Sequence, residues 1–140
     1  MNSMEISFNA MLINEAFARS AVASFIAYKN PTVNEMIEIK TIIAEGVSNA
    51  IIHGYEQNEK CYVYLKAILD DHLLKIIIQD YGKGIDDLSK VKLPFYTTLK
   101  DLEHTGMGMT IIDTLADSFE IESHKDIGTK LTITKRLKSE

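Results

Sequence analysis

The chain has 140 residues and one cysteine, Cys61, which leaves room for a single domain with a real core but excludes an internal disulfide or a cysteine-based metal cluster. Its composition, 46% hydrophobic and 25% charged, is that of an ordinary soluble protein, and a formal net charge of -5 argues against a large nucleic-acid surface. No apolar run reaches membrane-spanning length and the N-terminus has neither a basic leader nor an apolar segment, so one cytoplasmic domain over residues 1–140, with no membrane or nucleic-acid partner, is expected.

Met4 to Asn9 alternates apolar and polar residues, which predicts a short strand with Met4, Ile6 and Phe8 toward the core. A terminal strand of this length belongs at a sheet edge, where it is free to pair. Asn14 to Tyr28 has a helical apolar side of Phe17, Ala18, Ala21, Val22 and Phe25, and Pro31 ends the segment. Thr32 and Glu35 then form a capping box for a long helix that Gly54 stops. Its apolar residues are Met36, Ile39, Ile43, Val47, Ala50 and Ile51. Glu45, Asn49 and His53 stack along another side of it, one turn apart.

Tyr62 to Leu69 and Leu73 to Gln79 alternate around Asp70-Asp71-His72 and predict an antiparallel hairpin, its second strand central. Asp86 to Thr105 has no periodicity and is long for a connection in a compact domain, as lids are. Gly106-Met107-Gly108 opens a helix predicted from about Met109 to Leu115. Asp117 to His124 and Thr129 to Leu137 alternate on either side of an Asp126-Ile127-Gly128 turn. The order of elements predicts an α+β two-layer sandwich: a mixed, mostly antiparallel sheet with helices on one face, its other face partly wet or covered by a partner.

Three stretches carry chemistry. Asp80 precedes Gly82 and Gly84, so a carboxylate at a strand end meets a loop that a planar ligand can approach. Asp80 there can accept a hydrogen bond from an exocyclic amine, and the same D-x-G-x-G spacing also serves a plain loop. Gly106-Met107-Gly108 at a helix start is either an anion site of free N–H groups or a place of close packing. Glu45 and Asn49 form the sharper pair. An amide oxygen suits Mg²⁺ whose shell is completed by phosphates and water, and a carboxylate one turn away can take a proton. The alternative for both is bridging to neighbouring loops. His53 reads as satisfying carbonyls at the helix end, Thr129 as a ligand hydroxyl or a strand former, and Met107 and Met109 as core or lid packing.

Four motifs stand in fixed order: E-G-V-S-N-A-I-I-H-G from Glu45, D-Y-G-K-G-I from Asp80, T-G-M-G-M from Thr105 and G-T-K from Gly128. Together they resemble the ATP-binding (Bergerat-type) domain shared by DNA gyrase B, the Hsp90 chaperone, histidine kinases and MutL. Within that superfamily the likeness is to the sporulation anti-sigma-F factor family, which are serine protein kinases. F-A-R at Phe17, P-T-V-N-E at Pro31 and P-F-Y-T-T at Pro94 belong to the same resemblance, which spans nearly the whole chain. It implies Asn49 as the Mg²⁺ ligand, Glu45 as general base, and Asp80 as the acceptor of the adenine amine. It further implies Gly82, Gly84, Thr98, Gly106, Met107, Gly108, Met109 and Thr129 around ATP or ADP. A homodimer that binds and inhibits a sigma factor and phosphorylates an anti-anti-sigma protein on serine is the implied function, with Arg19 as a partner contact. A non-catalytic module that sequesters a sigma factor in response to nucleotide is the alternative. Two residues depart from the pattern: His104 stands where an arginine is usual, so that either His104 substitutes weakly or Lys100 or another lid residue helps neutralise the charge, and Gly46 replaces an alanine.

Overall fold

Among the described residues, apolar alternation in five strands and apolar stripes on three helices fold into two layers. The computed structural model describes residues 1–85 and 103–138, of which 103–107 as helical backbone. The strands are β1 (Asn2–Asn9), β2 (Tyr62–Asp70), β3 (Leu73–Asp80), β4 (Ser118–His124) and β5 (Gly128–Arg136). The helices are α1 (Ile13–Ile26), α2 (Val33–Asn49) and α3 (Glu103–Leu115). The sheet order is β1-β2-β3-β5-β4, with β1 at an edge as expected.

The predicted mixed sheet is wholly antiparallel across these strands. The reason lies in the chain path. The segment containing α3 carries the chain from β3 back to β4 in the same direction, but β5 inserts between them. Two antiparallel pairings thus stand where one parallel pairing would be.

Register sorts the side chains into rows across the helix-facing side. Ile6, Leu65, Ile78, Leu131 and Ile121 form one five-strand row, and Met4, Ala67, Ile76, Ile133 and Phe119 form the next. Ala18, Val22 and Ile26 of α1, Ile39, Ile42, Ile43 and Val47 of α2, and Met109 and Ile112 of α3 bury against them. At one end the apolar rows give way to a polar one, Asp80, Thr129 and Ser123 of β3, β5 and β4, all three buried. That polar row marks the end of the sheet where chemistry is placed.

The capping box at the start of α2 is formed: Glu35 N–H donates to Thr32 Oγ1 (3.1 Å), and Thr32 N–H to Glu35 Oε1 (2.9 Å). Burial pushes the Glu35 carboxyl up, but hydrogen bonds from the Lys138 and Thr32 backbones outweigh it and hold the group below its ordinary range. The single helix predicted through Gly54 is instead α-helical only to Asn49, then widens into a π-turn over Ala50–Gly54. Tyr55 N–H closes that turn on Ala50 O at 2.9 Å. Such widenings recur at functional sites.

The helix expected from about Met109 begins earlier, at Glu103, so Gly106 and Gly108 lie within its first two turns. Paired glycines each cost a helix about 1 kcal/mol, which is why they read as a break; packing against α2 decides otherwise. The C-terminal end of α3 is held by Lys135, whose Nζ donates to Leu115 O (2.7 Å) and pairs with Glu38 Oε1 (3.0 Å). The expected lid over Asp86 to Thr105 falls mostly outside the described residues, and its last three positions belong to α3.

Candidate functional site

Asp80 ends β3 with 3% of its surface exposed. Burial pushes its carboxyl up to about 6, against the opposing pull of hydrogen bonds from the Gly82 and Thr129 backbones. The Gly82 N–H donates to Asp80 Oδ1 at 2.9 Å. Behind the carboxylate lies Gly54, the last residue of the π-turn: a Cβ there would sit 2.7 Å from Asp80 Cγ, so only hydrogen fits. A Cβ on Gly82 would likewise collide with the Gly54 backbone. Gly54 O also accepts Lys83 N–H (3.0 Å), and Lys83 O accepts Asp126 N–H (2.6 Å), so the Gly82–Gly84 loop is strapped between α2's end and the β4–β5 turn.

Tyr55 fastens the same loop. Its hydroxyl donates to Tyr62 O (2.7 Å) and accepts from Tyr81 N–H (2.8 Å). Burial raises the phenol above its usual pKa, while the hydrogen bond from Tyr81 opposes the rise.

At the other end of the site, α2 meets α3. A Cβ on Gly108 would lie 2.9 Å from Glu45 Oε2, so the glycine lets the carboxylate come close to the α3 backbone. One turn further along α2, Asn49 is 5% exposed, and its Oδ1 is buried with no hydrogen-bond partner among the described residues. A buried amide oxygen without a donor is costly unless something external supplies positive charge or a proton. The helix thus carries a proton acceptor, an unpaired oxygen and, nine residues beyond Glu45, the glycine behind Asp80. At ~1.5 Å per residue the two ends stand about 13 Å apart along the axis. That geometry suits an elongated ligand with an amine donor at Asp80 and charge to be neutralised near Glu45.

These residues fit a bound Mg²⁺ at one point, Asn49. Asn49 Oδ1 is the oxygen a hard cation would take, and Mg²⁺ commonly uses one or two protein ligands with phosphates and water filling the rest. Among the described residues no cluster of three or more His, Cys, Asp or Glu forms a closed cage.

Glu45, Asn49, Gly108, Asp80, Gly82, Gly84 and Thr129 are therefore gathered around the end of α2 and the polar row of the sheet. Met109 packs in the core. Gly106 and Met107 lie on the first turns of α3, while Thr98 and Lys100 fall outside the described residues, as does the side chain of His104. Arg19 is on α1, paired with Glu15. From the sequence Gly54 reads only as a helix stop, and Tyr55 and Ser123 have no assigned role. Only cross-strand register and the π-turn bring them to Asp80, and no local pattern signals either.

A family model described as "Histidine kinase-like ATPase domain" matches residues 8–135. The anti-sigma F factor of Bacillus subtilis (strain 168) is 46% identical over 136 residues, covering 97% of this chain and 93% of that protein. The solved RsbU and RsbW domains of Rv1364c from Mycobacterium tuberculosis share the fold with a TM-score of 0.71 at 20% identity, over 98% of this chain and 32% of that one. The catalytic domain of the histidine kinase ThkA gives 0.58 at 16% identity, over 98% of this chain and 97% of that one. At such identities the two structures speak for the fold alone.

Proposed function

The chain belongs to the histidine kinase-like ATPase domain family, with anti-sigma F factors among its relatives, and from that membership we propose that it is an ATP-dependent serine kinase that is also an anti-sigma factor. It binds and inhibits a sporulation sigma factor, and it phosphorylates an anti-anti-sigma protein on serine. It acts as one domain over residues 1–140, as a homodimer, in the cytoplasm; no helix among the described residues is long and apolar enough to cross a membrane.

The observation that carries this reading is the placement of Asn49's unpartnered oxygen one turn from Glu45, whose carboxylate rests against Gly108. Asp80 accepts the adenine amine, and Gly82, Gly84 and Thr129 shape the base pocket. Thr98, Gly106, Met107 and Gly108 form the segment that meets the rest of the nucleotide, and Met109, packed in the core, supports it from behind. Asn49 would hold Mg²⁺, which supplies charge neutralisation on the phosphates when bound. Glu45 orients the partner's serine hydroxyl and takes its proton as the serine oxygen bonds to the γ-phosphorus of ATP and the bond from that phosphorus to the bridging oxygen breaks, with ADP as the leaving group. Arg19, half-exposed on α1 and paired with Glu15, contributes to the partner surface.

The test is incubation with labelled ATP, Mg²⁺ and the candidate anti-anti-sigma protein. Label on a partner serine is expected. Glu45→Ala should lose transfer by about 100-fold or more, a loss typical of removing a general base, while calorimetry shows nucleotide binding retained. Transfer at the wild-type rate in that variant would remove Glu45 from its role. Sigma-factor binding without any transfer would favour the sequestering module instead.

A further inference from the structure

The polar row contains one residue that the proposed chemistry does not use. Ser123 is buried on β4, cross-strand partner of Thr129, which is itself cross-strand partner of Asp80. Its hydroxyl makes three contacts. It accepts from the Ile85 N–H (2.8 Å), donates to Gly128 O (3.1 Å) and lies 2.7 Å from Thr129 Oγ1.

A serine hydroxyl has one proton and two acceptor sites. With its proton on Gly128 O and one acceptor site filled by Ile85, Ser123 has one lone pair left for Thr129. The Thr129 hydroxyl then spends its own proton on Ser123 and keeps only lone pairs for anything else. The neighbouring position on the same sheet face is the Asp80 carboxylate, also an acceptor. Two acceptors side by side suit an exocyclic amine, which brings two donors.

We propose that Ser123 is a positioning residue for base recognition: it orients the Thr129 hydroxyl as an acceptor beside Asp80 and so favours a 6-aminopurine nucleotide. The assignment rests on the nucleotide-binding reading given above. Through Ile85 the same hydroxyl pins the chain where it leaves the Gly82–Gly84 loop, so base pocket and loop are set by one group.

The test titrates Mg²⁺ with ATP, and separately with purine riboside triphosphate, which lacks the 6-amino group, onto the wild-type chain, Ser123→Ala, Ser123→Cys, Thr129→Ala and the Ser123→Ala/Thr129→Ala double variant. Ser123→Ala should weaken ATP by about fivefold to tenfold, the effect of one net hydrogen bond, and should narrow the preference for ATP over the analogue by a similar factor. Ser123→Cys keeps the size but bonds weakly, so it should fall with alanine. The double variant should bind no worse than Thr129→Ala, because Ser123 acts through Thr129. Wild-type affinity in Ser123→Ala or Ser123→Cys, an unchanged preference for ATP, or losses that multiply in the double variant would overturn the proposal. Asp80→Asn separates the two layers of inference. If it and Thr129→Ala both bind ATP like wild type, the nucleotide reading falls and takes this one with it; if they weaken binding and Ser123→Ala does not, only the role of Ser123 falls.

Discussion

A carboxyl group with a pKa of about 6 is half protonated near pH 6, and Asp80 is such a group. Its folded pKa stands above the ordinary 3.8, so the folded chain holds the proton more tightly than the unfolded one. The contribution to stability is therefore fully present below about pH 3.8 and is lost as pH rises through 6, to the extent of about 3 kcal/mol. An amine donor favours the ionised form and has the opposite dependence. ATP affinity should rise with pH up to about 6 and level off above it, falling by up to about tenfold per unit below. Calorimetry at pH 5, 6 and 7.5 checks this. Asp80→Asn should bind ATP more weakly at pH 7.5 and show a flatter profile, and the comparison subtracts the titration of the phosphates themselves. A wild-type profile parallel to that of Asp80→Asn would refute the coupling.

At the scale of elements, the contact between α2 and α3 decides whether Glu45 points where it is needed. Gly108 is the residue that lets the two helices approach there. An alanine would press on Glu45 Oε2, the far end of a flexible side chain, so the fold should survive and the carboxylate should move. Gly108→Ala is expected to slow phosphoryl transfer by about 10- to 100-fold, the scale of a misplacement near 1 Å, with a smaller change in ATP affinity. A transfer assay and calorimetry on the same preparation separate the two effects. The α3 helix is fixed at its other end by Lys135, which answers the free carbonyl of Leu115 and the charge of Glu38 at once. The π-turn does the matching task for α2, carrying Gly54 behind Asp80.

For the whole molecule, the sheet has one face buried under helices and one that carries Glu5, Ser7, Tyr64, Lys66, Ile77, Gln79 and Lys130 around a hollow of ≈ 440 Å³. Tyr64 is 44% exposed there, with its ring edge-on to Tyr81 at 5.6 Å. Aromatic residues are favoured at the centres of interfaces. The proposed homodimer predicts that sedimentation finds a dimer, and a dimer closed through this face predicts that Tyr64→Glu shifts it to monomer without loss of the fold. A wild-type monomer at micromolar concentration would exclude it.

The sequence by itself determined the periodicities, and with them the strands, the hairpin, the capping box and the acidic and amide pair on α2. Those are local: a 3.6- or 2-residue repeat and a cap are written in neighbouring residues. Four motifs in fixed order make the family legible in the chain itself. Tertiary structure alone decided the rest. The insertion of β5 made the sheet antiparallel throughout, the widening of α2 at Ala50 brought Gly54 against Asp80, and register aligned Ser123 with Thr129 and Asp80. Residues separated by tens of positions meet only because the backbones that carry them pack, and no spacing along the chain encodes that meeting.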